Sequence, residues 1–268
     1  MRAKKSFGQH FLINESLAEK IANSLLMESN IKNVLEIGPG KGVLTKYLLK
    51  QDINLRVVEA DKDMVEYLKT NYPKLNDKII FLDFLKLNMK KVFDGEPFYL
   101  IGNYPYNISS QILFKMVKHR DLIPEMVGMF QKEVSDRVIA SPGSKTYGVV
   151  SVLIQAFYSG ENVVKVSPGS FNPPPKVNSS VIRLRRKENY ELGCDYSFFR
   201  TVVKTAFGQR RKMMRNTLKG LVKDPSLLKD SYFTKRPEQL GVEEFVDLTL
   251  KIQESQESQD AVSDIETS

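Results

Sequence analysis

The sequence predicts an α/β fold, a largely parallel sheet covered by helices on both faces, followed by a small all-α domain. Three observations carry that expectation. Short apolar runs alternate with helical patterns as far as Phe130, at the spacing of βαβ units. The runs end in Gly, Glu, Asp, Asn and Gln, so polar residues gather beyond the carboxyl ends of the strands, where open parallel sheets bind ligands. After about Arg186 no strand pattern recurs.

In chain order, residues 34–37 form the first apolar run and end in Gly38-Pro39-Gly40-Lys41-Gly42, after which a helical pattern continues to Leu49. Residues 55–58 lead into Glu59-Ala60-Asp61 and a helix over 64–72. Residues 79–82 end at Asp83, 98–101 at Gly102-Asn103, and 126–130 at Gln131. Residues 162–166 and 179–184 are expected to pair as a hairpin closing the sheet, around the Pro-rich loop 167–176. Residues 196–207, 210–221, 225–231 and 242–252 read as helices. The expected organisation is a catalytic domain over 1–187, a helical domain over 188–252 and a disordered acidic tail over 253–268.

Charge narrows the partners. The 268 residues carry 40 Lys plus Arg against 32 Asp plus Glu, a net +8. Residues 183–223 hold twelve bases and three acids, whereas 253–268 hold five acids and no base. A basic body suits a polyanion, above all a nucleic-acid backbone. Cys194 stands alone, which excludes an internal disulfide, and with His10 and His119 as the only histidines a metal centre is disfavoured. The most apolar stretch, 149–157, is far short of the roughly 20 residues a membrane span needs. The basic start lacks an apolar signal core, so a cytoplasmic protein is expected.

The glycine turn follows a strand and opens a helix, the context that gives such a loop weight. It reads G-x-G-x-G, neither the dinucleotide fingerprint nor a P-loop, which disfavours ATP hydrolysis. Glu59, 21 residues after Gly38, is placed to accept hydrogen bonds from both ribose hydroxyls, and Asp83 from an adenine amino group. Together Gly38, Glu59 and Asp83 describe an adenosine site of the form common in S-adenosylmethionine enzymes, with a nicotinamide cofactor as the competing ligand.

Asn103-Tyr104-Pro105-Tyr106 resembles the N-x-P-[YF] motif of methyltransferases acting on exocyclic amines. Phe7-Gly8-Gln9-His10-Phe11-Leu12, the glycine turn, this tetrapeptide and residues 167–179 occur together in the rRNA adenine N6-dimethyltransferase family, which the chain resembles over roughly residues 3–250. The resemblance implies a Rossmann-like class I fold, S-adenosylmethionine as methyl donor, and no metal in the chemical step. It implies that Asn103 and the Pro105 carbonyl accept the amine hydrogens, with Tyr106 and Phe171 as stacking walls for the base. His10 and Leu12 would close over a cofactor held by Gly38, Glu59, Asp83 and Asn103. Residues 207–218 resemble a segment of the group that dimethylates two adjacent adenosines in the 3′-terminal hairpin of 16S rRNA, within the 30S subunit. On a helix, Arg210, Arg211, Lys212 and Arg215 would form a basic face that reads rRNA shape and phosphates.

That group implies a monomer with a role in small-subunit biogenesis and no DNA or membrane partner. The rivals are a 23S rRNA dimethyltransferase of the macrolide-resistance type, a DNA adenine methyltransferase, and an assembly factor whose methylation is secondary. Tyr104 stands where Leu or Ile is frequent, and residues 1–12 are expected to be unordered without cofactor, since little there can anchor them.

Overall fold

The computed structural model describes residues 10–28 and 30–266, with side chains through residue 256. Phe7, Gly8 and Gln9 of the N-terminal motif lie outside the described residues. The first elements are β1 (Phe11–Leu12) and α1 (Glu15–Ala22). Asn14 caps α1 by accepting the Leu17 N–H at 3.1 Å, and Leu17, Ala18, Ile21 and Ala22 bury one face.

Packing divides the chain into two units. The first comprises Met1–Asp136 and Tyr158–Lys187. Its sheet contains β2 (Asn33–Ile37), β3 (Asn54–Glu59), β4 (Ile79–Phe81), β5 (Tyr99–Asn103), β6 (Glu125–Gln131), β7 (Tyr158–Val166) and β9 (Ser179–Arg186), while β8 (Phe171–Asn172) pairs with β1 alone. Between the strands run α2 (Thr45–Leu48), α3 (Lys62–Asn71), α4 (Ser109–Lys118) and α5 (Lys132–Val138).

The sheet order is β4-β3-β2-β5-β6-β9-β7, parallel from β4 to β6 and antiparallel where β9 joins β6 and β7. Strands β2, β5 and β6 are buried on both faces, which is why they read as unbroken apolar runs. All seven expected strands are present, and the expected hairpin forms as β7 and β9, with a bulge between Asn162 and Val164. One core layer joins Leu17 and Ile21 of α1 and Leu48 of α2 to Val34, Val57 and Ile101 of the sheet.

The second unit comprises Arg137–Phe157 and Glu188–Ser268. It contains α6 (Val149–Gln155), α7 (Tyr196–Gly208), α8 (Met214–Thr217) and α9 (Val242–Glu266). Phe207 stacks on Phe245 at 5.8 Å and meets the Tyr147 ring at 6.2 Å, with Phe199, Val202 and Leu248 fully buried.

Three expectations need correction. Residues 137–157 group with the C-terminal helices, so the helical unit is not one continuous segment starting at 188. Residues 210–221 are not one helix: α7 ends at Gly208, α8 starts only at Met214, and a short 3-10 turn covers Lys219–Leu221. Tertiary bonds replace the intrahelical ones there, since the Met214 N–H donates to the Lys235 carbonyl at 2.9 Å. Finally, α9 runs to Glu266 through most of the expected disordered tail, because Glu and Gln extend an existing helix without a new nucleation step.

Candidate active site

The strand order reverses between β2 and β5, and a cavity of about 680 Å³ opens beyond the carboxyl ends of β2, β3 and β5. Gly38, Glu59, Asp83, Asn103, Pro105 and Tyr106 all line it. The volume lies in the range of small-molecule sites.

The glycine turn is shaped by close approach. Gly42 has φ +77° and lies so near the Tyr72 ring that a β-carbon would sit 2.5 Å from it. Gly38 has φ +63°, and a β-carbon there would enter open space, so the backbone at the cavity wall is bare. The Gly38 N–H donates to the Val58 carbonyl at 2.9 Å, tying the turn to β3.

Glu59 is held by three amides. Its Oε2 accepts the Gly40 N–H at 3.1 Å, and Oε1 accepts those of Ala60 and Asp61 at 2.9 Å each. Burial pushes its carboxyl above the usual range, while these amide bonds pull the other way. A carboxylate has about four acceptor sites, so capacity remains for a hydroxyl. Glu36, directly before the turn and given no role of its own by the sequence, lines the same cavity: it is buried, accepts the Thr45 hydroxyl at 2.6 Å, and is pushed up to about 8, chiefly by burial. The available signal was an acid inside an apolar strand directly before the turn.

Asp83 caps the short turn Phe84–Lys86 by accepting the Leu85 N–H at 2.9 Å. Before it, Phe81 and Leu82 line the cavity while 58% and 37% exposed, apolar walls that the sequence did not single out.

Asn103 ends β5 with its amide orientation decided. Its Nδ2 donates to the His10 carbonyl at 2.9 Å, and since a carbonyl only accepts, Oδ1 is the atom left to receive a hydrogen. The Pro105 carbonyl, the other expected acceptor, is already approached at 3.3 Å by both the Ile108 N–H and the Ser109 hydroxyl. The Tyr106 hydroxyl is tied to Ser179 Oγ at 2.5 Å, and burial raises its pKa, so it stays a neutral phenol.

The structure keeps His10 at the cavity wall, as expected, and moves two other residues, Phe171 and Arg210. The His10 ring stacks on Tyr106, with centroids 5.4 Å apart and planes at 28°, and its Nδ1 donates to the Pro173 carbonyl at 2.8 Å. Phe11 and Leu12 pair with Asn172 and Phe171, and Leu12 lines the cavity, while the rest of the arm expected to be unordered lies outside the described residues. Phe171 does not face the cavity as a stacking wall. It is 3% exposed and packs in the apolar core, because alternation along β8 turns Asn172 to the cavity and Phe171 inward. In the second unit, Arg211, Lys212 and Arg215 are exposed, but Arg210 spends its guanidinium on the carbonyls of Lys145 and Ser144 at 2.6 and 2.9 Å. The basic face on one helix is therefore not formed, since only Arg215 lies on α8.

Among the described residues, no group of three His, Cys, Asp or Glu is placed to hold a metal, and no helix is long and apolar enough to cross a membrane.

Comparison with known proteins gives consistent matches. Residues 1–246 match the ribosomal RNA adenine dimethylase family. A Flavobacterium johnsoniae protein named ribosomal RNA small subunit methyltransferase A is 56% identical over 253 residues, covering 94% of this chain and 97% of that protein. A Bacteroides thetaiotaomicron protein of the same name is 54% identical, with 95% and 96% covered. Among solved structures, a dimethyladenosine transferase from Plasmodium falciparum has a TM-score of 0.79 at 26% identity, covering 92% of this chain and 98% of that one. The 23S rRNA methyltransferase ErmE, with a TM-score of 0.65 and 24% identity over 88% and 99%, bears on the fold alone.

Proposed function

The chain belongs to the ribosomal RNA adenine dimethylase family, and from that premise we propose that it dimethylates N6 of two adjacent adenosines in the 3′-terminal hairpin of 16S rRNA. The relatives named for the small subunit, at 54–56% identity over nearly the whole chain, favour this substrate over 23S rRNA. Its partner is the 30S subunit, so it works in the cytoplasm, where subunits are assembled.

The cavity fits S-adenosylmethionine: a bare glycine wall at Gly38, an anchored carboxylate at Glu59 for a ribose, and Asp83 for an adenine amine. When bound, S-adenosylmethionine supplies an electrophilic methyl group on a sulfonium. The protein's task is to hold the amine. An adenine amino nitrogen shares its lone pair with the ring and is a poor nucleophile. Asn103 Oδ1 accepts one N–H and favours a more pyramidal nitrogen with a directed lone pair. The Pro105 carbonyl offers a second acceptor, its present bonds being long. Neither acceptor titrates, so the amine attacks in its neutral form and its surplus proton passes to water after the methyl has arrived. Tyr106 offers a ring face for the extruded base, held in place by Ser179.

The oriented Asn103 amide beside Glu59 and Asp83 in one cavity is the observation that carries the reading. Labelled S-adenosylmethionine should transfer methyl groups to under-methylated 30S subunits and yield N6,N6-dimethyladenosine, with none in 50S subunits or DNA. Label in 50S subunits would move the substrate to 23S rRNA. Cofactor binding without transfer would favour an assembly factor.

A further inference from the structure

We infer that Lys115 is a positioning residue for the loop that receives the cofactor's adenine, an inference that rests on the reading of the cavity given above. From α4, the Lys115 ammonium donates to three backbone carbonyls in one stretch: Phe84 at 2.7 Å, Leu85 at 2.9 Å and Leu87 at 2.6 Å. Its nitrogen also lies 5.0 Å from the centroid of the Phe84 ring. All three ammonium donors are thus directed at one loop, and Asp83 and Phe84 of that loop line the cavity.

The loop needs such support. It follows β4, a three-residue strand that pairs only with β3 at the end of the sheet, so residues 84–87 gain no ladder bonds. Charge-assisted bonds to the last carbonyls of a short turn fix it where the sheet does not. The helix that supplies the lysine begins just after the Asn103-Tyr104-Pro105-Tyr106 turn. Lys115 therefore joins the loop on the cofactor side to the element on the amine side within one rigid helix. Partial burial lowers its pKa, and the negative charge of Asp83 acts against that.

The test compares the full-length wild type with K115M, K115Q and D83N. Calorimetry measures binding of S-adenosylhomocysteine and of its inosine analogue, which lacks the purine amino group, and methyl transfer to 30S subunits is measured at saturating cofactor. K115M should bind S-adenosylhomocysteine at least tenfold more weakly, lose most of the preference for adenine over hypoxanthine, and keep kcat within twofold. Unchanged affinity and preference, or a kcat loss that matches the affinity loss, overturns the inference. K115Q carries the same comparison at a threefold threshold should K115M fail to fold. If D83N weakens binding and K115M does not, only the role of Lys115 falls. If D83N changes nothing while K115M weakens binding, the reading of Asp83 falls and the loop acts through Phe84.

Discussion

The Asn103 Nδ2 donates to the His10 carbonyl, and on the proposed reading its Oδ1 accepts the amine hydrogen. Asn103→Ala should therefore lower kcat by about 10²–10³, the usual loss when one preorganised polar group is removed from a reacting centre. S-adenosylhomocysteine affinity, read by calorimetry, should fall less than kcat, since Asn103 also lines the cofactor cavity, and an equal loss in both would contradict the amine-acceptor role. Glu36 gives a different test. Its carboxyl is pushed up to about 8, so between the ordinary carboxylate range and pH 8 the unfolded chain has released a proton that the folded chain keeps. Stability from this group thus falls as pH rises through that window, by at most about 1.4 kcal/mol per pH unit. Glu36→Gln should flatten the decline of Tm between about pH 5 and pH 8 relative to wild type, and identical slopes would show that Glu36 does not titrate there. At this scale the sequence made the cavity-lining polar residues readable, because polar groups ending apolar parallel strands collect at one edge of the sheet. It does not reveal which way an aromatic in a two-residue strand points, and so a reading of the sequence puts Phe171 in the cavity rather than in the core.

Strands β5 and β6 show how an element sets the site from beneath. Gly102 and Gly128 are partners in register, and the buried Tyr104 ring lies against both. A β-carbon at Gly128 would come within 2.1 Å of the ring, so the two glycines make the slot that accepts the Tyr104 side chain. The Tyr104 N–H also donates to the Met129 carbonyl at 3.3 Å, which holds the turn between Asn103 and Pro105 against β6. Gly128→Ala should cost about 1–3 kcal/mol by overpacking and lower kcat with it. Adding Tyr104→Leu to that variant should restore part of the loss in Tm, since the smaller side chain vacates the slot. Simple additivity in thermal unfolding would argue against the coupling. The parallel strands were legible because burial on both faces leaves a continuous apolar signature. The segment over 210–221 has a helical pattern equally clear to the eye, yet the Lys235 carbonyl takes the Met214 N–H and Arg210 holds two distant carbonyls. Local periodicity cannot register partners that far along the chain.

For the whole molecule, the interleaving of the two units explains the misplaced boundary. The change from strands to helices near residue 187 is real, but Arg137–Phe157 leaves the sheet unit after β6 and returns at β7, and no local composition marks that excursion. Charge distribution, in contrast, could be read directly, because it does not depend on how the chain is threaded. The basic stretch remains the best candidate for binding phosphates, but the structure divides its residues by role. Arg211, Lys212 and Arg215 are exposed, whereas the Arg210 guanidinium serves the loop at Ser144 and Lys145. Replacing the three exposed residues with Ala should weaken 30S binding mainly at low salt, and the slope of log K against log salt should become shallower by about 0.7–0.9 for each phosphate that is no longer neutralised. Tm and S-adenosylhomocysteine affinity should stay near wild type. Arg210→Ala should do the reverse, lowering Tm by removing a donor from two carbonyls while leaving the salt slope nearly unchanged. Filter binding between about 50 and 200 mM KCl, a range over which the counterion effect is large, separates the two sets when run beside thermal unfolding. If the triple variant leaves the slope intact, rRNA must be held by other basic residues, within 183–223 or beyond it, and Arg211, Lys212 and Arg215 do not neutralise phosphates.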